Sequence, residues 1–307
     1  MHFKKSYKTI TTLLSICLAL FAPALGLAAN EDVDVYLLLG QSNMYGGSEL
    51  KETYESKPVD ERIGYTYFVG TRNNIPPDYI AGLLQSEGLL SLAPLDFGKR
   101  VRYGAELDFG RAIYRYVRDV EKKRPNIAIL KFAVGSSSLE NDWVGGEARL
   151  AQKLTEKIAA FREIIAPRGN ARFRGIIVYQ GESDAATNLY AAAYLRNLNT
   201  LINRIRDELG SPNLPALITR IHINNEGRFT CEIRKSQTEF VLRDRRASIV
   251  NVDHLAKNED NPHYPQSEYR RLGTIYGRMM PELSLRGESQ ELSEAEIQLQ
   301  VSKVPCR

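Results

Sequence analysis

Two short polar strings, far apart in the chain, hold the groups that ester hydrolysis needs. In the first, Gly40-Gln41-Ser42-Asn43 follows directly on the apolar run from Val33 to Leu39. In the second, Asp260-Asn261-Pro262-His263 sits in a proline-containing loop ahead of a helical pattern. A serine nucleophile needs a base to take its proton and donors to hold the oxyanion. An Asp and a His three apart in a tight loop can turn to the same side, the carboxylate fixing the imidazole tautomer. Either string alone has a plainer explanation, Ser42 as a helix cap and D-x-x-H as a surface turn. Together they read as a nucleophile, Ser42, a base, His263, and its orienting acid, Asp260.

The base is chosen by elimination. Besides His2 near the amino terminus, the chain has His222, His254 and His263. His222 falls inside a strand pattern near the sheet edge. His254 follows Asp253 directly, and adjacent side chains generally diverge, so Asp253-His254 is the alternative loop. One His–Asp pair without further clustered His or Cys is a poor metal set. No metal or other cofactor is therefore expected.

These groups need a scaffold that ends several strands at one edge. Apolar runs at 33–39, 126–134, 173–179, 214–224 and 248–252 read as strands. They alternate with helical patterns at 105–120, 147–165, 185–209, 231–243 and 267–280, which predicts a parallel sheet covered on both faces. Ser42, Gly135 and Gln180 each follow the end of a strand, the edge at which open α/β folds bind ligands. Residues 48–103 have no clean period, are rich in Gly, Pro and Tyr, and read as an insertion longer than the usual βα loop. After Pro281 the tail is polar, either a cover or a loose end. The chain reads as one domain over 29–283, with a tail over 284–307.

Residues 1–28 read as a secretory signal peptide: Lys4, Lys5 and Lys8, an apolar core from Leu13 to Ala22, then Gly26-Leu27-Ala28 before the cut. That core is too short for a membrane span, and Cys17 lacks the context of a lipid anchor. The formal charge of +4 falls to +1 when the three leader lysines go, so nucleic acid is excluded as a partner. The mature chain keeps Cys231 and Cys306, and in an exported protein such a pair is expected to be bridged. A composition of 43% hydrophobic and 25% charged residues is that of an ordinary globular protein, here secreted or periplasmic.

The segments GQSNM (40–44), YGAELDFGRAI (103–113), KFAVGSSSL (131–139), YQGESDA (179–185) and DNPH (260–263) fall in an order that resembles the sialate O-acetylesterase domain family. That family is close to the family-6 carbohydrate esterases of the SGNH hydrolase superfamily. The resemblance spans roughly residues 33–283. It implies a flavodoxin-like three-layer α/β/α sandwich with a central parallel sheet, the SGNH hydrolase fold. It also implies removal of acetyl groups from O-acetylated sugars, of acetylxylan or sialate type, through an acyl-enzyme. The implied oxyanion hole is the backbone N–H of Ser42, the backbone N–H of Gly135 and the side-chain amide of Gln180. Glu182 is read as an orienter of the turn carrying Gln41, Ser42 and Asn43, Asp184 as the N-cap of the next helix, and Arg234 and Gln237 as structural. Ala105 stands where the family often has proline. Ser136 and Ser137 replace the commoner Gly-Thr and are expected to narrow the pocket.

With that resemblance in hand, the 48–103 segment is expected to govern which acetylated carbohydrate is accepted. Its Tyr54, Tyr65, Tyr67, Phe68 and Tyr79 suit stacking on sugar faces, or equally form the segment's own core. Two rivals share the fold: a silent carbohydrate-binding domain, and a lipid or thioester hydrolase of the wider superfamily. A pure binder has no need of Ser42, Asp260 and His263 together, which favours the esterase.

Overall fold

The apolar runs become strands because nearly all of their side chains can be buried on the two covered faces of a parallel sheet. The computed structural model describes residues 32–46, 48–49, 54, 56–72, 84–86, 88–96, 101–225, 227–258, 263–286 and 291–306. Six strands, β1 (Asp32–Gly40), β2 (Ile63–Thr71), β3 (Ile127–Gly135), β4 (Asn170–Tyr179), β5 (Ala216–Thr219) and β6 (Ala247–Val250), form a parallel array in the order β6-β5-β4-β1-β3-β2. Two short strands, Leu84–Gln85 and Leu90–Ser91, add antiparallel to the outer edge of β2, so the whole sheet is mixed but mostly parallel. With β2 left aside, the order is that of a flavodoxin-like sheet. The chain reverses direction across the sheet beside β1, whose neighbours are β3 and β4.

Helices cover both faces. They are α1 (Ser42–Tyr45), α2 (Glu106–Asp119), α3 (Arg149–Ile165), α4 (Asn188–Glu208), α5 (Thr230–Arg243), α6 (Gln266–Leu285) and α7 (Glu294–Ser302). On α3, Leu150, Leu154, Ile158, Phe161 and Ile165 are buried, the stripe that the spacing predicts. The α2–α6 pair packs unusually close. A Cβ at Gly273 would lie 2.3 Å from the Ala105 carbonyl oxygen, and one at Gly277 would meet the Ala112 side chain at the same distance.

The structure departs from the sequence reading in three places. Residues 48–103 are not purely an insertion, because nine of them are β2, paired in parallel with β3 throughout. Tyr65 and Phe68 are buried in its core, Tyr54 packs against that core, Tyr67 is half-buried, and Tyr79 lies outside the described residues. The fourth expected strand stops at Thr219 instead of running to Asn224. Beyond it the backbone N–H of Ile221 donates to Gln237 and that of Ile223 to Asp253, so side chains replace the ladder. The last long helix continues past Pro281 to Leu285. Proline costs the helix one hydrogen bond and crowds the preceding turn, and Leu283 beyond it is buried.

The tail takes the first of the two forms left open for it. It folds as α7, started by a capping box between Ser293 and Glu296, and buries Ile297 and Val301. Cys231 at the start of α5 is bridged to Cys306, with Cα atoms 4.9 Å apart, and Arg234 Nε donates to the Pro305 carbonyl. The tail is thus a cover on α5. The expected leader at 1–28 lies outside the described residues, and among those described no helix is long and apolar enough to cross a membrane.

The bridge closes a chain separation of 75 residues. In the chain-entropy view that constrains the unfolded state by roughly 4 kcal/mol. Cys306→Ser should therefore lower the urea midpoint markedly, and reductant should lower the wild type to the same value. Equal midpoints with and without reductant would show that the bridge carries no stability.

Candidate active site

The site begins where β1 ends. At Gly40 the backbone has φ +155°, and a Cβ there would lie 2.0 Å from the Tyr179 carbonyl oxygen. Only glycine lets the ends of β1 and β4 approach this closely. Gln41 N–H then donates to that same carbonyl at 3.1 Å, and the chain turns into α1 with Ser42 as its first residue.

The residues on either side of Ser42 are clamped. Gln41 Nε2 and Asn43 Nδ2 both donate to the Glu182 carboxylate, the latter at 2.6 Å. Ser183 Oγ donates to Gln41 Oε1 at 2.8 Å, and Tyr269 Oη donates to Asn43 Oδ1 at 3.2 Å. Burial pushes the Glu182 carboxyl above its ordinary range, against the two amides that pull it down. Ser42 itself is only half-buried. Gln41, Asn43 and Glu182 thus lie where the sequence places them, around the Ser42 turn.

Gly135 comes up beside the serine. A Cβ on it would stand 3.6 Å from the Ser42 Cβ and 3.2 Å from Thr71 Oγ1. Ser136 follows in the left-handed region with φ +61°, which accounts for the glycine more usual there. Ser137 does not narrow the pocket. It is fully buried, donating to the Val134 carbonyl and accepting from Trp143 Nε1.

Gln180 differs from expectation. Its Nε2 donates to the Ser137 carbonyl at 2.6 Å and to Asp184 at 3.3 Å, while its Oε1 is buried without a partner. In this geometry the amide nitrogen holds the loop after β3. Asp184 is no cap of α4, a role taken by Thr187. It accepts instead from the backbone N–H groups of Leu139 and Glu140, at the start of a one-turn π-helix over Leu139–Trp143. Burial pushes the Asp184 carboxyl up to about 7, against those donors. Arg234 and Gln237 are structural as read: Arg234 grips Asp253, and Gln237 Nε2 donates to the Gln180 carbonyl.

The three histidines separate cleanly. His254 is exposed, and its neighbour Asp253 is spent on Arg234 and Arg220. His222 is buried in the turn after β5, its Nδ1 accepting from Asn224 N–H, and burial holds it below the ordinary histidine range. His263 is half-buried, and its position is set by its neighbours. Tyr264 Oη shares a hydrogen bond of 2.8 Å with Tyr179 Oη, and its ring meets that of Tyr269, the donor to Asn43. The residues flanking Ser42 and Gln180 therefore pin the loop that carries His263. Burial lowers the His263 pKa, and Arg102 and Lys257 lower it further. Asp260 lies outside the described residues.

Arg102 is a residue that sequence reasoning missed. Its guanidinium stacks 5.3 Å from the Tyr45 ring centre and reaches the Gly46 carbonyl, so a cation stands beside α1. It lies in the aperiodic 48–103 stretch, where no spacing marks it. The tyrosines were equally unmarked, although Tyr264 adjoins His263.

A serine on a tight turn has a glycine backbone beside it, and the residue after His263 is tied to the end of β4. Residues 32–282 match the family described as carbohydrate esterase, sialic acid-specific acetylesterase. A probable carbohydrate esterase of Arabidopsis thaliana is 25% identical over 252 residues, covering 78% of this chain and 86% of that protein. The X-ray structure of that Arabidopsis protein aligns with a TM-score of 0.58 at 20% identity, over 81% of this chain and 98% of that one. NanS aligns with a TM-score of 0.54 at 16% identity, over 83% and 97%. A carbohydrate acetylesterase from Xanthomonas citri gives 0.50 at 17%, over 80% of this chain and 56% of that one. These structures share the fold, that of the SGNH hydrolases, and with most of its length matched to the family the chain belongs to the carbohydrate esterases of the sialic acid-specific acetylesterase type.

Proposed function

We propose that this protein is a secreted serine esterase that removes small acyl groups, acetyl above all, from O-acetylated sugars. The observation that carries the reading is the clamped turn: Glu182 holds Gln41 and Asn43 on either side of Ser42, with Gly135 alongside. In the first half-reaction Ser42 Oγ attacks the acetyl carbonyl while His263 takes its proton. Asp260 orients the imidazole and stabilises the imidazolium. The oxyanion is met by the backbone N–H groups of Ser42 and Gly135. Gln180 joins as a third donor by turning Nε2 from Asp184, the longer of its two contacts at 3.3 Å. As the intermediate collapses to the acyl-enzyme, His263 gives that proton to the departing sugar oxygen, which leaves as the hydroxyl. In the second half-reaction it activates the water that releases acetate and restores Ser42. The substrate is of sialate or acetylxylan type. The Cys231–Cys306 bridge supports secretion, since such bonds persist in oxidising compartments.

Each member of the triad should fail in its own way. Ser42→Ala and His263→Ala should each lower kcat on 4-nitrophenyl acetate by a factor on the order of 10⁴ or more. Asp260→Asn should lose less, but still a large factor, while His254→Ala should stay within about tenfold of wild type. An inactive His254→Ala beside an active His263→Ala would move the base to the Asp253-His254 loop. Acetylated xylan and O-acetyl sialic acid, assayed side by side, decide the sugar.

The pH dependence has a definite sign. The base works unprotonated, and burial with Arg102 and Lys257 holds the imidazole below its ordinary range of about 6.5. The rising limb of kcat/KM reports the titration of that imidazole. Arg102→Gln removes a cation that disfavours the imidazolium, so its limb should shift to higher pH. A limb that stays fixed would show that Arg102 does not act on the base.

A further inference from the structure

Two charged residues in the family-like segments, Glu106 and Lys131, supply no group to the reaction as drawn. Both residues are fully buried, and they form an ion pair of 2.8 Å. Lys131 is a lysine in the middle of β3, all of whose residues are buried. Its Nζ makes a second bond of 2.9 Å, to the carbonyl oxygen of Tyr45. Tyr45 is the last residue of α1, the four-residue helix that Ser42 begins. Glu106 is the first residue of α2, where its charge meets the positive end of that helix, and Tyr65 Oη leans on its other oxygen at 3.5 Å. Gly104 leaves room for it, since a Cβ there would lie 2.2 Å from Glu106 Oε2.

We propose that Lys131, itself held by Glu106, is a positioning residue that fixes the far end of the Ser42 helix and so aims the nucleophile. The inference rests on the reading of Ser42 as nucleophile. A one-turn helix has few internal hydrogen bonds to keep its direction. Its near end is set by Gly40 and the Glu182 clamp, and its far end by the Tyr45 carbonyl on Lys131. Replacing a buried ion pair by apolar residues is often neutral or stabilising, so stability alone does not account for the pair. An ammonium donor at the floor of α1 is what an apolar replacement could not supply.

The test compares variants that lose stability alike but differ in the bond to Tyr45. Glu106→Gln leaves the Lys131 amine able to donate to the Tyr45 carbonyl, whereas Lys131→Met abolishes that bond. The double variant Lys131→Met/Glu106→Leu removes the bond without leaving a buried charge, and serves if the single change fails to fold. Activity on 4-nitrophenyl acetate and the rate of inactivation by phenylmethylsulfonyl fluoride are measured well below each melting temperature. Lys131→Met and the double variant should lose at least about tenfold in kcat with KM within about threefold, and inactivation should slow in parallel. Glu106→Gln should keep kcat within about threefold despite a lower melting temperature. A folded Lys131→Met or double variant with kcat and inactivation rate within twofold of wild type overturns the proposal, as does an equal loss in Glu106→Gln. Ser42→Ala run alongside separates the two readings: if it stays active, the nucleophile is misassigned whatever the Lys131 variants do.

Discussion

The five residues Gln180 to Asp184, at the carboxyl end of β4, hold both halves of the site. Glu182 reaches back to the turn after β1, accepting from Gln41 and Asn43. Asp184 reaches across to the loop after β3, accepting from the backbone N–H groups of Leu139 and Glu140. Gln180 ties the same loop through the Ser137 carbonyl. The strands that carry these loops are the two neighbours of β1 and β1 itself, so the strand order that opens the crevice also brings the carboxylates within reach. If that turn were moved, the serine and the glycine would lose their common reference.

Such an arrangement is costly in free energy. Desolvation raises both carboxyls, Asp184 to about 7. For Asp184 the sign follows from linkage. Its pKa is raised on folding, so the stability associated with its proton is present at low pH and is lost as pH rises through about 7. The left-handed Ser136 adds backbone strain in the same loop. These costs gather at one edge of the sheet, while the opposite demands of a dry, close-packed core are met by Val35, Leu37, Leu39, Ile129, Phe132 and Ile176, all buried.

Much of this was legible in the sequence because the relevant residues are local in it. Gly40 to Asn43 and Gln180 to Asp184 each lie within one turn after an apolar run, so a strand end and a polar string sit side by side. The Cys231–Cys306 bridge was legible from number alone. What was hidden is the partner of each side chain. Asp184 looks like a cap for the helix that follows it, yet its donors lie 44 and 45 residues earlier in the chain. β2 was hidden for a related reason: a parallel strand has no hairpin partner beside it in sequence, and β2 pairs with residues some sixty positions later. Pro281 suggested a helix end because the missing N–H is visible in sequence, whereas the burial of Leu283 that keeps the helix going is not.

The tyrosines near His263 join separate elements of the fold through their side chains. Tyr264 is tied to Tyr179 on β4, and Tyr269 on α6 to Asn43 on α1, so three elements meet at aromatic side chains rather than at backbone ladders. Each ring fills core volume and offers one hydroxyl, which suits a boundary between packed interior and polar crevice. Asn258 N–H closes the loop on the His263 carbonyl at 3.1 Å. Because Asn43 answers both to Tyr269 and to Glu182, the Ser42 turn is held to α6 and to the end of β4 through one side chain. Serine and histidine are thereby referred to the same end of β4, although they enter from opposite ends of the sequence.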